Sequence, residues 1–143
     1  MGQRKNKHEL GSSCSFCEEK ALTLSAELVP IWHRIKIKFP DVHISWAWRN
    51  QEMQDFFYSM GKSAAKWPGS RHNRMIDGVP ASDAMDLFQM KGDWVARFPM
   101  PLYREIYGFC VAEGFPIEWG GLFPTLRDGP HFQIRRVGQG SGA

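Results

Sequence analysis

The sequence predicts an α+β protein in which helices flank a small antiparallel sheet. Helical patterns come early in the chain, strand patterns are short and dispersed, and no regular strand–helix–strand alternation is present. A length of 143 residues suits one domain with a hydrophobic core. A hydrophobic content of 43% and six tryptophans favour a folded globule over a disordered chain.

Helices are predicted from apolar spacing and from capping residues. Residues 16–39 carry apolar side chains at helical spacing, and Pro30 is predicted to split this segment into two helices or to kink one. Residues 50–65 give a second helical pattern, capped by Asn50. Residues 100–115 form an amphipathic helical pattern.

Strands are predicted where apolar residues alternate or where short apolar runs lie between turn signals. These segments are residues 42–48, 83–90, 116–121 and 131–137. Residues 66–82 are rich in Gly, Pro, Ser and Asn and are predicted to form a loop.

The charge pattern restricts the class of partner only weakly. The net charge of +3, from 18 basic and 15 acidic residues, would suit a polyanionic surface such as a cell wall or a nucleic acid without requiring one. No apolar segment follows the basic N-terminus, so no secretory signal is predicted. No run of 18 apolar residues exists, so we expect no membrane insertion. We therefore expect cytoplasmic synthesis, with release by another protein if the protein acts elsewhere.

The three cysteines do not predict a disulfide framework, because their number is odd and no secretion signal accompanies them. Cys110 is predicted to be a small buried residue of a helix. Cys14 and Cys17 form a single C-x-x-C, whereas a zinc ribbon needs two. His8 and His33 could complete a site, but their spacing matches no common zinc finger. The role of this pair, whether metal, redox or peripheral, stays open.

Three dispersed residues have the chemistry of a metal site. His72 lies in a loop, Asp86 lies on a predicted strand, and His131 opens the last strand. Each one alone has an ordinary explanation as a solvated loop or strand residue. Together, two imidazoles and one carboxylate form the type of ligand set that a catalytic zinc uses, with a fourth position for water. Zinc lowers the pKa of such a water to about 7.

The segment DGPHFQI adds a possible proton acceptor. Asp128 precedes His131 by three residues, and the intervening Gly129 and Pro130 exclude a helix. The turn that they force could direct Asp128 toward the water while His131 binds the metal. A carboxylate in that position could take and relay a proton.

The motifs GSRHN, PASDAMDL and WGGLFPTLRDGPHFQI, taken in this order, resemble those of peptidase family M15. That family comprises zinc-dependent D-Ala-D-Ala carboxypeptidases and the L-alanyl-D-glutamate endopeptidases of phage endolysins. The segment SWAWRNQEMQ resembles the family's S-x-x-R segment followed by Gln. The resemblance covers about residues 20–136. The matching residues are Arg49, Gln54, Ser70, His72, Ala84, Asp86, Trp119, Gly120, Gly121, Asp128, Pro130 and His131.

The resemblance implies a Hedgehog/DD-peptidase-like fold and a zinc ion. The polar residues 1–15 are predicted to form a flexible segment and residues 138–143 a flexible tail, and residues 16–137 are assigned to a zinc peptidase domain. The zinc ligands that the resemblance implies are His72, Asp86 and His131.

The resemblance also implies roles for other residues. Asp128 would act as general base and then as the acid that protonates the leaving amine, and Arg49 would stabilise the oxyanion or hold a substrate carboxylate. Ser70, Gln54 and Trp119 would contribute to substrate binding, although Ser70 could support the ligands instead and Trp119 could be a cleft wall or core residue.

The sequence departs from the family pattern between the first histidine and the aspartate. Thirteen residues separate His72 from Asp86, more than the family has, and Asp77-Gly78 within them is a turn signal. We interpret the extra length as an inserted hairpin or loop. Asp77 and Asp83 are therefore alternative ligands, but Asp86 fits best because it follows Ala-x and leads into Leu-Phe.

The leading prediction is a monomeric zinc peptidase that cuts the peptide stems of bacterial peptidoglycan. An L-Ala-D-Glu endopeptidase of a phage or prophage lysin is favoured over a D-Ala-D-Ala carboxypeptidase. A non-catalytic zinc-containing binding module is the alternative from another class, although we expect no nucleic-acid partner. The host and the wall chemotype are not predicted.

Overall fold

The computed structural model describes residues 14–96, 99–124 and 126–136. Most of the predicted N-terminal segment 1–15 and the whole predicted tail 138–143 lie outside these residues. The described helices are α1 (Ser15–Ala21), α2 (Leu28–Lys38), α3 (Gln51–Ser59) and α4 (Met100–Ala112). The described strands are β1 (Val42–Trp46), β2 (Met75–Ile76), β3 (Val79–Pro80), β4 (Ala84–Lys91), β5 (Trp94–Ala96), β6 (Ile117–Trp119) and β7 (His131–Ile134).

The main sheet is antiparallel and confirms the predicted α+β class. Its strands follow the order β1-β4-β7-β6, and β5 forms a hairpin with the end of β4. The strands β2 and β3 form a separate two-stranded hairpin. None of the described helices is long and apolar enough to cross a membrane.

The first helical segment is divided earlier than predicted. We expected the break or kink at Pro30, but the chain leaves helical geometry between Ala21 and Leu28. Pro30 instead lies in the first turn of α2, where its missing N–H costs no intrahelical hydrogen bond. Within the break, the backbone N–H of Ser25 donates to Ser82 O at 2.7 Å, which ties this turn to the residues just before β4.

Local signals account for the other differences from the prediction. Asn50 caps α3 as predicted, accepting from the backbone N–H of Met53 at 2.9 Å, but the helix ends at Ser59, before Gly61 at φ +73°. The extra length before Asp86 contains the hairpin of β2 and β3. Its turn places Asp77 at φ 52° and Gly78 at φ 77°, the left-handed pair that a type I′ hairpin needs. Strand β5 was not predicted.

The two faces of β4 and β7 have different roles. Successive side chains of a strand point to opposite faces. Met85 and Leu87 on β4, together with Phe132 on β7, belong to the hydrophobic core formed with the helices. Asp86 on β4 and its partner His131 on β7 are also buried, but they point to the opposite face of the sheet. Cys110 is buried in the core from α4, as predicted.

Asp83 lies just before β4 and is the buried centre of an ion cluster with two partly exposed arginines. Its side chain is 1% exposed and accepts from Arg136 Nη2 at 2.7 Å and from Arg74 Nη1 at 2.9 Å. Burial would raise the pKa of Asp83, but the hydrogen bond from Arg136 and the charge of Arg74 outweigh burial and lower it. Asp83 is therefore committed to two arginines, and it is Asp86 that lies beside the histidines.

We predict that Asp83→Asn destabilises the fold by about 2–4 kcal/mol at neutral pH, because two partly exposed arginines lose a buried counter-charge. The folded-state pKa of Asp83 is depressed, so its contribution is complete above the unfolded value near pH 4 and is lost as the pH falls through the folded value. Urea unfolding at several pH values measures this difference.

Asp77→Asn is the matched control. Asp77 is exposed and has a positive φ that asparagine tolerates, so this variant should unfold like the wild type. Equal stability of the Asp83 and Asp77 variants at neutral pH would contradict the role of the ion cluster.

Candidate active site

Three buried side chains bring one atom each to a common point. His72 Nε2 lies 3.2 Å from His131 Nδ1 and 3.3 Å from Asp86 Oδ1, and the last two atoms are 3.2 Å apart. A tetrahedral zinc with ligand bonds of about 2.0–2.1 Å has ligand atoms about 3.3 Å apart. The triangle therefore has the dimensions of one face of such a site, and the donors are of the type that zinc binds.

The outer hydrogen bonds of the histidines determine which ring nitrogens face inward without a proton. His72 Nδ1 lies 2.7 Å from the carbonyl oxygen of Ala47, so it carries the hydrogen and donates. His131 Nε2 donates to Gln133 Oε1 at 2.7 Å. The orientation of that amide is fixed because Gln133 Nε2 donates to the carboxylate of Glu118 at 2.8 Å. In the neutral rings, His72 Nε2 and His131 Nδ1 are left as electron-pair donors.

Three electron-pair donors at this separation repel one another unless a cation lies among them. A proton can occupy only one side of the triangle, for example between His131 and Asp86. A metal ion can accept from all three atoms at once, and outer hydrogen bonds of this kind are typical of histidines that bind metals. The arrangement therefore fits a metal centre, and these three residues are the ones that would hold the ion.

Sheet register and a capped turn place the three ligands. Asp86 on β4 and His131 on β7 are direct partners in the antiparallel pairing. His72 lies in a short 3₁₀ turn (Arg71–Asn73), which begins at Ser70. The Ser70 hydroxyl accepts from the backbone N–H of His72 at 3.1 Å, and the Asn73 side chain accepts from Ser70 N at 3.0 Å. This capping box fixes the turn and the direction of the His72 ring.

A buried network holds the second oxygen of the carboxylate. Arg49 Nη2 donates to Asp86 Oδ2 at 2.6 Å, and Arg49 Nη1 donates to Gln54 Oε1 at 3.2 Å. Gln54 is in turn held by Ser63 and by the carbonyl oxygen of Ala65. Since Oδ2 is engaged by Arg49, Asp86 presents Oδ1 alone to the triangle. Gln54 and Ser70, for which we predicted substrate binding, are buried supports of this network and of the His72 turn.

The electrostatics of the site separate the two aspartates. Burial would raise the pKa of Asp86, but the two histidines and Arg49 hold it well below its usual range, so it is ionised. Burial and the charge of Asp86 raise the pKa of Asp128 to about 6. Burial lowers the pKa of His72 to about 4, which favours the neutral ring that a metal requires. A carboxylate whose pKa lies near neutrality can both take and release a proton.

Asp128 lies at the edge of the triangle in a tightly packed loop. Its Oδ2 is 4.0 Å from His131 Nδ1, and its side chain is 21% exposed. The backbone N–H of Asp128 donates to Gly120 O at 2.9 Å, and a Cβ on Gly120 would lie 2.2 Å from Asp128 O. Trp119 is buried and donates from Nε1 to Gly129 O at 2.7 Å. The W-G-G motif therefore positions the Asp128 loop.

Sequence reasoning missed three supporting residues. Gln133 and Glu118 orient His131, and Asn73 bonds both Ser70 and the backbone of Arg49. The period of two in a strand gave a usable signal for Gln133, since it places Gln133 on the same face as His131. Glu118 and Asn73 had no such signal, because they reach the site only through the tertiary fold.

No protein-family model matches this chain. No curated protein sequence matches it either. Among solved structures, the L-Ala D-Glu endopeptidase ChiX of Serratia marcescens is similar, with a TM-score of 0.66 and 25% sequence identity. The match covers 83% of this chain and 86% of ChiX. This chain has the fold of ChiX. The likeness supports the M15-like, DD-peptidase-like fold that the motifs indicated.

We predict that Gly120→Ala lowers the activity of the site, because the added methyl would displace the backbone of Asp128. A shift of about 1 Å in a catalytic group can cost about 100-fold in rate. Peptidoglycan hydrolysis by purified variants, with metal content measured in parallel, tests this.

Gly108→Ala on α4 is the control, because a Cβ there meets no atom within 4 Å and alanine favours a helix. Equal activity of the Gly120 and Gly108 variants would show that the close approach to Asp128 has no catalytic consequence.

Proposed function

We propose that this protein is a zinc-dependent peptidase that hydrolyses the peptide stems of bacterial peptidoglycan, as an L-Ala-D-Glu endopeptidase. The observation that carries the proposal is the buried triangle of His72, Asp86 and His131, which needs a cation and lies in a chain with the fold of an L-Ala D-Glu endopeptidase. The substrate class is supported by the likeness to ChiX. A role in phage or prophage lysis remains a prediction.

In this proposal the chain supplies both the metal ligands and the proton acceptor. Zinc held by the three ligands would supply Lewis-acid activation of water and of the scissile carbonyl. Asp128 takes a proton from the attacking water and gives it to the leaving amine. Its partial exposure, its raised pKa and its place beside His131 suit that role. Asp86, which is ionised and held by Arg49, remains a ligand throughout.

Arg49 has two tasks in this proposal. Its guanidinium fixes Asp86, and the resemblance to the peptidase family implies the second task, which is to stabilise the oxyanion or hold a substrate carboxylate. The three residues predicted to bind substrate act indirectly, through the groups that they hold. Ser70 holds the His72 turn, Gln54 holds Arg49, and Trp119 holds the Asp128 loop.

A single digestion tests the activity and its bond specificity. Purified protein is incubated with peptidoglycan of several wall chemotypes, with chelator, without chelator, and with chelator followed by excess zinc. We expect cleavage that the chelator abolishes and zinc restores, because the three donors act only with a cation among them. Mass spectrometry should show new amino termini on D-Glu.

The products also separate the alternatives. Release of free D-Ala would show that the protein is a carboxypeptidase and contradict the proposed endopeptidase specificity. If the protein cleaves no wall type in a chelator-sensitive way, the result would contradict the proposed peptidase activity and favour a non-catalytic binding module.

Asp128→Asn should lower the turnover number by about 10²–10⁴-fold, because the amide cannot accept the proton of the attacking water. Metal content and unfolding midpoint should stay at wild-type values, since Asp128 is not among the three ligands. Steady-state hydrolysis and metal analysis of the same preparation test both statements. Asp93→Asn, at an exposed turn, is the matched control. Full activity of the Asp128 variant would contradict its role as general base.

A further inference from the structure

A second group of ligand side chains lies where α1 packs against β1. Cys14, Cys17 and His43 are all buried, and each can offer a ligand atom within 4.8 Å of those of the other two. His33, which the sequence offered as a partner for the C-x-x-C, is instead exposed and pairs with Glu18 at 3.2 Å. His43 was not considered, because it lies 26 residues after Cys17 on a strand.

The distances within this group match those of a thiolate–imidazole metal site. Cys17 Sγ lies 3.5 Å from His43 Nδ1. With zinc–sulfur bonds of about 2.3 Å and zinc–nitrogen bonds of about 2.0–2.1 Å, the two ligand atoms of a tetrahedral site are about 3.5–3.6 Å apart. The backbone N–H of Ile44 also points at the sulfur and lies 3.4 Å from it, as a donor to a thiolate would.

The charge around the group favours bound thiolates. Lys36 is buried, and its ammonium donates to the carbonyl oxygens of Pro40 and Val42 at 2.7 and 2.9 Å. Among the described residues, no carboxylate forms an ion pair with Lys36, and Cys17 and Cys14 are the groups whose negative charge would act on it most. Two thiolates on a metal would supply that charge within the core.

The surroundings do not favour a redox-active C-x-x-C. Such pairs depend on a lowered thiol pKa and on solvent access. Here neither cysteine is exposed to solvent. A metal ion, which displaces the thiol proton, is compatible with this buried position.

We propose that Cys14, Cys17 and His43 bind a second zinc ion, which has a structural role. Structural zinc has four ligands, of which these are three. The ion would link the short helix α1 to β1, which is one of the edge strands of the sheet. The same stretch of chain continues to Ala47 and Arg49, which orient His72 and Asp86 in the active site. The second ion would therefore brace the active site without taking part in the chemistry.

Metal content and cobalt spectroscopy of the full chain test this proposal. Protein purified in zinc-containing buffer should hold two zinc ions per chain. The Cys14→Ser/Cys17→Ser double variant should hold one, as should His72→Ala/His131→Ala. Cys110→Ser, which removes a buried cysteine outside the group, should still hold two.

Cobalt distinguishes the two sites, because only the second has sulfur ligands. Cobalt-loaded wild-type protein should show a thiolate-to-cobalt charge-transfer band, and this band should persist in His72→Ala/His131→Ala, a variant that we expect to be inactive. This measurement on the wild type stands if the double cysteine variant does not fold. A wild-type protein with no thiolate–cobalt band, or with a Cys14–Cys17 disulfide detected by mass spectrometry before reduction, would overturn the proposal. Absence of peptidase activity alone would contradict the proposed function but not the proposal of a second zinc site.

Discussion

The candidate active site depends on one electrostatic constraint: three electron-pair donors converge in a buried place where no group among the described residues neutralises all of them. Ala47 O fixes the ring of His72, and Gln133 fixes that of His131, so that both present a bare nitrogen to Asp86. Each of these hydrogen bonds engages the ring nitrogen that faces away from the triangle and so strengthens the preference for a cation at the centre of the triangle. The supporting residues therefore matter because they prevent the donors from turning away from one another.

The same two strands build the core and the site. On β4 and β7, alternate side chains enter the hydrophobic core, and Asp86 and His131 on the opposite face form part of the candidate metal centre. A slip of one residue in the pairing of β4 with β7 would exchange these faces and bury ionised groups among apolar ones. Packing of Leu87 and Phe132 therefore fixes the register in which Asp86 meets His131. This coupling allows a small domain to hold three buried polar ligands in place.

The sequence predicted the fold class and the grouping of His72, Asp86 and His131 because both leave local traces. Alternation, helix caps and the ordered motifs are visible without a structure, and the likeness to an endopeptidase fold agrees with them. The motif alone favoured Asp86 over Asp83, and the tertiary contacts add the physical reason, since they show Asp83 held by two arginines. The break before α2 and strand β5 were missed because Pro30 fits a first helical turn and because β5 is short. His43 had no local signal, since its partners are distant in sequence.

The two ligand groups differ in the way that separates catalytic from structural metal sites. The triangle of His72, Asp86 and His131 combines nitrogen with carboxylate oxygen, and the partly exposed Asp128 lies 4.0 Å from its His131 corner. The group of Cys14, Cys17 and His43 has sulfur ligands and is enclosed by the core and by α1. Thiolates hold zinc firmly but reduce its positive charge, whereas a neutral imidazole pair with one carboxylate leaves more of that charge available. Exposure and ligand charge together therefore support the proposals of a catalytic role for the first group and a structural role for the second.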